Sequence, residues 1–324
     1  MVSLSEMKDK GYIPQKMYIK MFLGGAISLT KTLIFNLSDL KKLRKIHAGE
    51  EAYIRPKRVY DIPKYDPSMK VCNSNEKYLR PTLYCDHTEP EVVALAHKLG
   101  AFKKSDAEYA EAAFHFVKEK MTLEILPLNR VGETFERGTG TCFHLITAFI
   151  ALCRAAGIKA RYKVFAMNMI QAWYDAVVEP DPLIKKWYDS MGYFMLEGEG
   201  EAFIDGKWTV AHVGPKAARQ AAAGIPITKF GEDSIGNWFF AIPGTIMKME
   251  SIPYGFSGST RFLRKLAPAS MDRVNISILK QIEHGENIIK QAGGIDEYDK
   301  SVRKDNGPIK PDLELEEVNQ IVFE

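Results

Sequence analysis

Cys142 is the residue whose setting most suggests covalent chemistry. It follows the run Gly-Thr-Gly-Thr and begins an apolar stretch that predicts a helix over Cys142–Ala156. The unpaired N–H groups and positive dipole end of a helix N-terminus favour a reactive thiolate and can stabilise an oxyanion. The setting predicts a nucleophilic cysteine, with Gly140 and Thr141 binding substrate. A buried structural cysteine at a helix cap is the alternative.

The segment 197–213 contains the candidate partners of this thiol. Asp205-Gly206 is the strongest hairpin-turn signal in the chain and pairs Ile204 with Lys207. By the same register, His212 lies opposite Glu199 on the neighbouring strand. A carboxylate that faces an imidazole fixes its tautomer and raises its basicity. We therefore expect His212 to act as the catalytic base.

Three glutamates precede this turn at alternate positions. Glu197, Glu199 and Glu201 share one face of a strand because side chains alternate with a period of two. Glu197 or Glu199 would orient His212. No cofactor is expected on this hypothesis. The alternatives are a site for Mn²⁺ or Zn²⁺ built from Glu197, Glu199, Glu201 and His212, and a solvated acidic strand with a surface histidine. Glycines 198 and 200 leave the opposite face bare, which indicates close approach of another backbone or a ligand.

Two stretches resemble landmarks of a known family. GTGTCFHLITAFIALCRAAGIKARY is similar to the nucleophile helix of the transglutaminase-like superfamily, and EAFIDGKWTV to its strand, Asp-Gly turn and tryptophan-bearing strand. The resemblance covers about residues 80 to 215. It implies a papain-like triad with Cys142 as nucleophile, and it places the glutamate face of the hairpin against the cysteine helix. The usual histidine and aspartate positions are occupied by Glu197 and His212, so the acid and the imidazole are exchanged. Trp208 and Glu201 are further candidate substrate-binding residues.

The elements around these landmarks predict an α+β fold. Helical patterns precede antiparallel strand patterns, which is not the alternation of a parallel βαβ fold. Capping-box spacing at Thr88–Glu91 and Ser105–Glu108 predicts two helices before the glycine-rich segment that leads to Cys142. With the resemblance, the prediction is a cysteine-bearing helix packed on an antiparallel sheet. A helical insertion at 168–192 and the cluster Trp238–Phe240 could cover the site as an apolar lid.

Three regions are predicted along the chain. Residues 1–77 form a helical extension, broken at Gly24-Gly25, and a proline-bearing linker. Residues 78–215 form the transglutaminase-like core. Residues 216–324 form a loop-rich and helical extension packed on that core, with one long helix over 269–292.

Composition and charge exclude several classes of protein. The 324 residues are 46% hydrophobic, with a net charge of +3, so charge does not favour nucleic acid as a partner. Four cysteines without a CxxC pair argue against a disulfide scaffold or zinc knuckle, and the polar N-terminus argues for a cytoplasmic protein with reduced thiols. The basic and apolar segment 16–45 is a candidate for peripheral membrane or partner contact, or for packing on the main body. The sequence does not predict the oligomeric state.

These observations leave three functions open. The first is a cysteine-nucleophile hydrolase or acyltransferase that acts on an amide, ester or activated ketone of a small molecule or peptide through an acyl-thioester. The second is a metal-dependent hydrolase at the glutamate face. The third is a non-catalytic relative that binds a peptide or partner in the same cleft.

Overall fold

The computed structural model describes residues 4–10, 16–45, 49–167, 169–190, 195–235, 241–242 and 245–305. Nineteen elements lie in these ranges. The first nine are α1 (Leu4–Asp9), α2 (Lys16–Phe35), α3 (Leu37–Leu43), α4 (Pro90–Leu99), α5 (Asp106–Lys120), β1 (Thr122–Leu123), α6 (Val131–Arg137), β2 (Thr139–Gly140) and α7 (Cys142–Ala155). The others are β3 (Ala160–Met167), α8 (Gln171–Val177), α9 (Pro182–Ser190), β4 (Met195–Ile204), β5 (Lys207–Ala211), α10 (Ala217–Ala222), β6 (Met247–Met249), α11 (Gly258–Leu266), α12 (Pro268–Gln291) and α13 (Ile295–Asp305). None of the helices described in these ranges has the length and apolar character needed to cross a bilayer.

An antiparallel sheet carries the predicted hairpin. Its strand order in the described residues is β5-β4-β3-β6, and β1 and β2 form a separate parallel pair. Ile204 pairs with Lys207 and Gly200 with Ala211, so the predicted register is confirmed. The mixture of helices with an antiparallel sheet also confirms the α+β class.

The cysteine helix α7 packs on the bare face of β4. A Cβ atom built on Gly198 would lie 3.2 Å from Ile146 Cδ1, and one built on Gly200 would lie 2.6 Å from Phe149 Cδ1. The glycines therefore let the helix approach the sheet closely. Because neighbouring side chains on a strand point to opposite faces, Glu199 and Glu201 lie on the far side of the sheet. The expectation that the glutamate face meets the cysteine helix is therefore wrong for Glu199 and Glu201.

Local signals predicted several element ends. Ser105 and Glu108 form the expected capping box, and α7 is followed by Gly157 at a φ of 90°. The insertion 168–192 is helical where described, as α8 and α9, and the long C-terminal helix is present as α12. The Trp238–Phe240 cluster lies outside the described residues. The division at residues 77 and 215 remains a prediction.

Two expectations about local structure are wrong. The chain is continuously helical through Gly24 and Gly25 in α2, because adjacent turns pack on α9 and outweigh the low helix propensity of glycine. The helix expected from Thr88 begins at Pro90, whose fixed φ suits the first helical position, while Thr88 bonds to Asp86. The C-terminal extension, expected to be loop-rich before its long helix, contains the short elements α10, β6 and α11 in that part.

The short helix α10 lies directly against α12. A Cβ atom on Gly285 would be 1.6 Å from the carbonyl oxygen of Ala218, so the two backbones are in contact at this point. Because α10 also carries Arg219, this contact sets the position of a buried arginine.

Gly285→Ala should therefore reduce stability sharply. The new methyl group would overlap a backbone atom, and overpacking of this kind costs at least about 2 kcal/mol in the free energy of unfolding. Urea denaturation of both proteins measures the difference. The matched control is Gly24→Ala, since nothing lies within 4 Å of a Cβ at Gly24. Equal stabilities of the two variants would show that α10 and α12 are not in backbone contact.

Candidate active site

Cys142 is the first residue of α7, and its side chain is partly exposed. Helix N-termini leave their first N–H groups without intrahelical partners. A bond from the Phe143 N–H favours the thiolate. The predicted position of Cys142 at the start of an apolar helix is confirmed.

His144 holds the loop before the nucleophile. Its Nδ1 accepts a hydrogen bond from the Thr141 N–H at 3.0 Å, so the proton lies on Nε2, which donates to Asn129 Oδ1 at 2.9 Å. Burial lowers the pKa of His144 to about 3, so the ring is neutral. A Cβ at Gly140 would lie 2.4 Å from His144 Cβ. Packing against His144 thus explains the glycine, and the substrate-binding roles of Gly140 and Thr141 remain predictions.

The Glu197 carboxyl group lies next to the Cys142 thiol, and both are close to Gly214. A Cβ built on Gly214 would be 3.6 Å from Cys142 Cβ and 3.7 Å from Glu197 Oε1, so both side chains converge on this glycine. Burial, followed by the charge of Glu197 and a hydrogen bond with it, raises the pKa of Cys142 well above 9.0. Burial raises the pKa of Glu197 from 4.5 to about 7. At neutral pH the sulfur is therefore a protonated thiol beside a carboxyl group that is ready to accept its proton.

Arg219 supplies a positive charge to this pair. Its side chain is buried, its Nε donates to Gln281 Oε1 at 2.9 Å, and its guanidinium carbon lies 5.2 Å from the centre of the Trp173 ring. Burial lowers the pKa of Arg219 to about 10, while Glu197 and Cys142 act in the opposite direction. Arg219 remains charged at neutral pH and favours the anionic forms of both partners.

His212 is buried immediately after β5, two residues before Gly214. Its backbone oxygen accepts a hydrogen bond from Lys118 Nζ at 3.3 Å. Burial, followed by the charges of Lys118 and Lys163, lowers the pKa of His212 well below 6.5. The imidazole of His212 is therefore neutral. The carboxyl group that lies beside the Cys142 thiol is that of Glu197.

Lys118 ties the loop after β5 to the body. Besides the His212 carbonyl it donates to Pro215 O at 2.9 Å and to Gln220 Oε1 at 2.8 Å. Burial lowers its pKa to about 7. These bonds fix the segment that contains Gly214, directly against the site.

The alternative metal site is not formed. Lys163 Nζ lies 2.9 Å from Glu199 Oε2, and Arg161 Nε lies 2.6 Å from Glu201 Oε2. Lys248 also contacts Glu201. Because these carboxylates are neutralised by basic side chains, a cation would have to displace them. The described ranges contain no cluster of three or more histidine, cysteine or acidic side chains that could hold a metal.

Trp208 and Glu201 lie away from the thiol. Trp208 pairs with Phe203 near the turn, and its ring stacks against the Arg161 guanidinium at 3.8 Å. With a rise of about 3.3 Å per residue, Phe203 is roughly 20 Å along β4 from Glu197, and Glu201 roughly 13 Å. The structure therefore does not bring these two candidate substrate-binding residues to Cys142.

Sequence reasoning missed Arg219 and Lys118. Arg219 stands in the alanine-rich run AARQAA, which matches no catalytic pattern, and Lys118 occupies an ordinary helical charge pattern. The sequence carried no signal for the burial of Arg219, because arginine is mostly exposed in folded proteins. Only the packing of α10 on α12 shows where its guanidinium lies.

The raised pKa of Glu197 predicts a pH-dependent effect on stability. Between pH 4.5 and about 7 the unfolded carboxyl ionises before the folded one. The wild-type free energy of unfolding therefore falls relative to that of Glu197→Gln as the pH rises, by up to about 3 kcal/mol. Urea denaturation at pH 4.5 and pH 8 measures the change, with Glu111→Gln on exposed α5 surface as the control. If the stability of Glu197→Gln relative to wild type does not increase from pH 4.5 to pH 8, the pKa of Glu197 is not raised in the folded protein.

Two comparisons found known proteins that are similar to part of this chain. The protein-family model described as the transglutaminase-like superfamily matches residues 93–188. A solved structure described as that of a "Putative Cysteine Protease" from Cytophaga hutchinsonii is 20% identical, with a TM-score of 0.31, over 42% of this chain and 40% of that one. The match thus spans less than half of that protein's length. No curated protein matches the chain significantly. The family match shows that the chain is similar to this superfamily at residues 93–188.

Proposed function

We propose that this protein is a hydrolase or acyltransferase that uses Cys142 as its nucleophile and forms an acyl-thioester. The observation that carries the proposal is the convergence of Cys142 and the Glu197 carboxylate on Gly214, at the N-terminus of α7. The similarity to the transglutaminase-like superfamily supports a cysteine-dependent reaction of this kind.

Acylation begins with the thiol. As the sulfur attacks the carbonyl carbon of an amide, ester or activated ketone, its proton passes to the Glu197 carboxylate, and the carbonyl electrons move to oxygen. The N–H groups of the first turn of α7 and the Arg219 guanidinium are the donors proposed to stabilise this oxyanion. For an amide or ester, the tetrahedral species then collapses, the carbon–heteroatom bond breaks, and Glu197 protonates the leaving group.

Deacylation reverses the roles of the same groups. Glu197, again ionised, removes a proton from water or from an amine, which attacks the thioester carbonyl. Collapse expels the sulfur, and the proton returns from Glu197 to Cys142. A pKa of about 7 lets Glu197 act as base and acid at neutral pH. Water as acceptor makes the reaction a hydrolysis, and an amine makes it an acyl transfer.

The predicted base is therefore reassigned from His212 to Glu197. A neutral His212 buried beside Lys118 fits a positioning role for the loop that contains Gly214. Its catalytic role stays a prediction. The nucleophile must be reduced to act. None of the four cysteines, all of which lie in described ranges, forms a disulfide, and we propose a reducing compartment such as the cytoplasm.

Acyl trapping tests the nucleophile. Incubation with p-nitrophenyl acetate should add one acetyl group to the intact protein, and peptide mapping should place it on Cys142. Cys142→Ala should lose this adduct and the associated release of p-nitrophenol while keeping its melting temperature. Cys72→Ala, which removes another partly exposed thiol, should behave as wild type. Equal acetylation of Cys142→Ala would refute the nucleophile and favour a non-catalytic binding protein.

The pH profile tests the base. The wild-type rate constant for acetylation should rise with pH as Glu197 ionises near pH 7. Glu197→Gln should lower that rate by about 10²- to 10⁴-fold and remove the limb near pH 7. Stopped-flow measurement of p-nitrophenol release from pH 5 to pH 9 gives both quantities, with Glu111→Gln as the control. If the rise in rate near pH 7 is lost in His212→Gln and kept in Glu197→Gln, His212 is the base.

A further inference from the structure

The helix α2 presents an apolar stripe to solvent. Ile19, Leu23, Ile27 and Ile34 follow one side of the helix, and the side chain of Leu23 is 53% exposed. With a rise of 1.5 Å per residue, the stripe is about 22 Å long. Phe35, which is 81% exposed, lies at its C-terminal end. Isolated exposed apolar residues are common, but four large aliphatic side chains on one side of a helix indicate a binding surface.

The opposite face of α2 holds the helix on the body through polar contacts. Ser28 and Thr32 are buried and both contact Ser190 of α9. Trp187 Nε1 donates to the carbonyl oxygen of Gly25 at 3.1 Å. Leu29 and Leu33 complete this inward face. The inward face thus combines hydroxyl and aliphatic groups, while large aliphatic side chains also lie on the outward face, where an ordinary surface helix carries polar residues.

Basic residues are concentrated in the segment that carries the stripe. Residues 16–45 contain seven lysines and arginines and one acidic residue, whereas the remainder of the chain contains 37 basic and 40 acidic residues. The positive charge of the protein is therefore concentrated on this segment. Six of the basic side chains are exposed: Lys16, Lys31, Lys41, Lys42, Arg44 and Lys45.

We propose that α2 and α3 bind the surface of an anionic lipid bilayer. The helix would lie in the interface with its aliphatic stripe among the acyl chains and its lysines against the headgroups. Apolar burial and attraction to anionic lipids together stabilise interfacial helices of this type. Docking in this way leaves the inward face of α2 on α9 and requires no rearrangement of the body.

Charge favours a lipid surface over a second copy of the chain. In a two-fold symmetric dimer the same surface faces itself. The exposed lysines would then be brought against the same lysines of the other copy, at a Coulombic cost. An anionic membrane instead supplies the complementary charge over the whole segment.

Co-sedimentation with lipid vesicles tests this proposal. The full chain should bind vesicles made of equal parts phosphatidylcholine and phosphatidylserine, bind phosphatidylcholine vesicles weakly, and dissociate partly at 1 M salt. The double variant Leu23→Asn with Ile27→Asn should bind the mixed vesicles about tenfold more weakly or worse. The charge variant Lys41→Gln with Lys42→Gln should show a comparable loss. Circular dichroism confirms that each variant is folded.

Ile54→Asn is the matched control, because Ile54 is 80% exposed but lies outside the helix. It should bind as wild type. Equal binding to both vesicle types, or equal loss with Ile54→Asn, would overturn the proposal. So would a dimer in light scattering that the Leu23→Asn and Ile27→Asn substitutions abolish, without vesicle binding by the wild type. Binding that appears only after removal of residues 306–324 would instead identify that acidic segment as the occupant.

Discussion

The close contact between α7 and β4 is the constraint on which the site depends. Gly198 and Gly200 remove side chains from one face of β4, and Ile146 and Phe149 of α7 occupy the space. A side chain at either glycine would push the helix outward and lift Cys142 away from Glu197. The two residues come from distant parts of the chain, so only this packing brings the thiol to the carboxyl group. Contacts of this kind tolerate little added volume, because protein interiors are already close-packed.

The three glutamates of β4 differ in their chemistry because different charged groups lie next to them. Glu199 and Glu201 form buried ion pairs with Lys163 and Arg161 on the far face of the sheet, where their role is structural. Glu197 has no such partner within salt-bridge distance among the described residues and is balanced at longer range by Arg219. Three glutamates with identical spacing therefore differ in chemistry because of what packs against each. The local charge environment, and not the pattern, decides which carboxyl group can exchange a proton.

Part of this arrangement could be read from the sequence, and the limits are physical. The Asp205-Gly206 turn and the period-two pattern are local signals, so the register of the hairpin and the position of Cys142 at a helix start were predictable. Which helix packs on a given strand face depends on residues far apart in the chain. The sequence therefore indicated that one face of β4 is bare, but not which element fills it. Arg219 depends on the contact of α10 with Gly285 of α12, some 66 residues later. No periodicity in an alanine-rich hexapeptide reports such a contact.

The hydrogen bond between Cys142 and Glu197 also bears on the resistance of the thiol to oxidation. Oxidation of a cysteine by peroxide proceeds through the thiolate, so susceptibility follows thiolate character and exposure. Burial and the neighbouring carboxyl group keep Cys142 in its thiol form, although the side chain is partly exposed. The sulfur is then a poor target for small oxidants. It becomes reactive only when a bound substrate carbonyl is attacked and the thiol proton passes to Glu197.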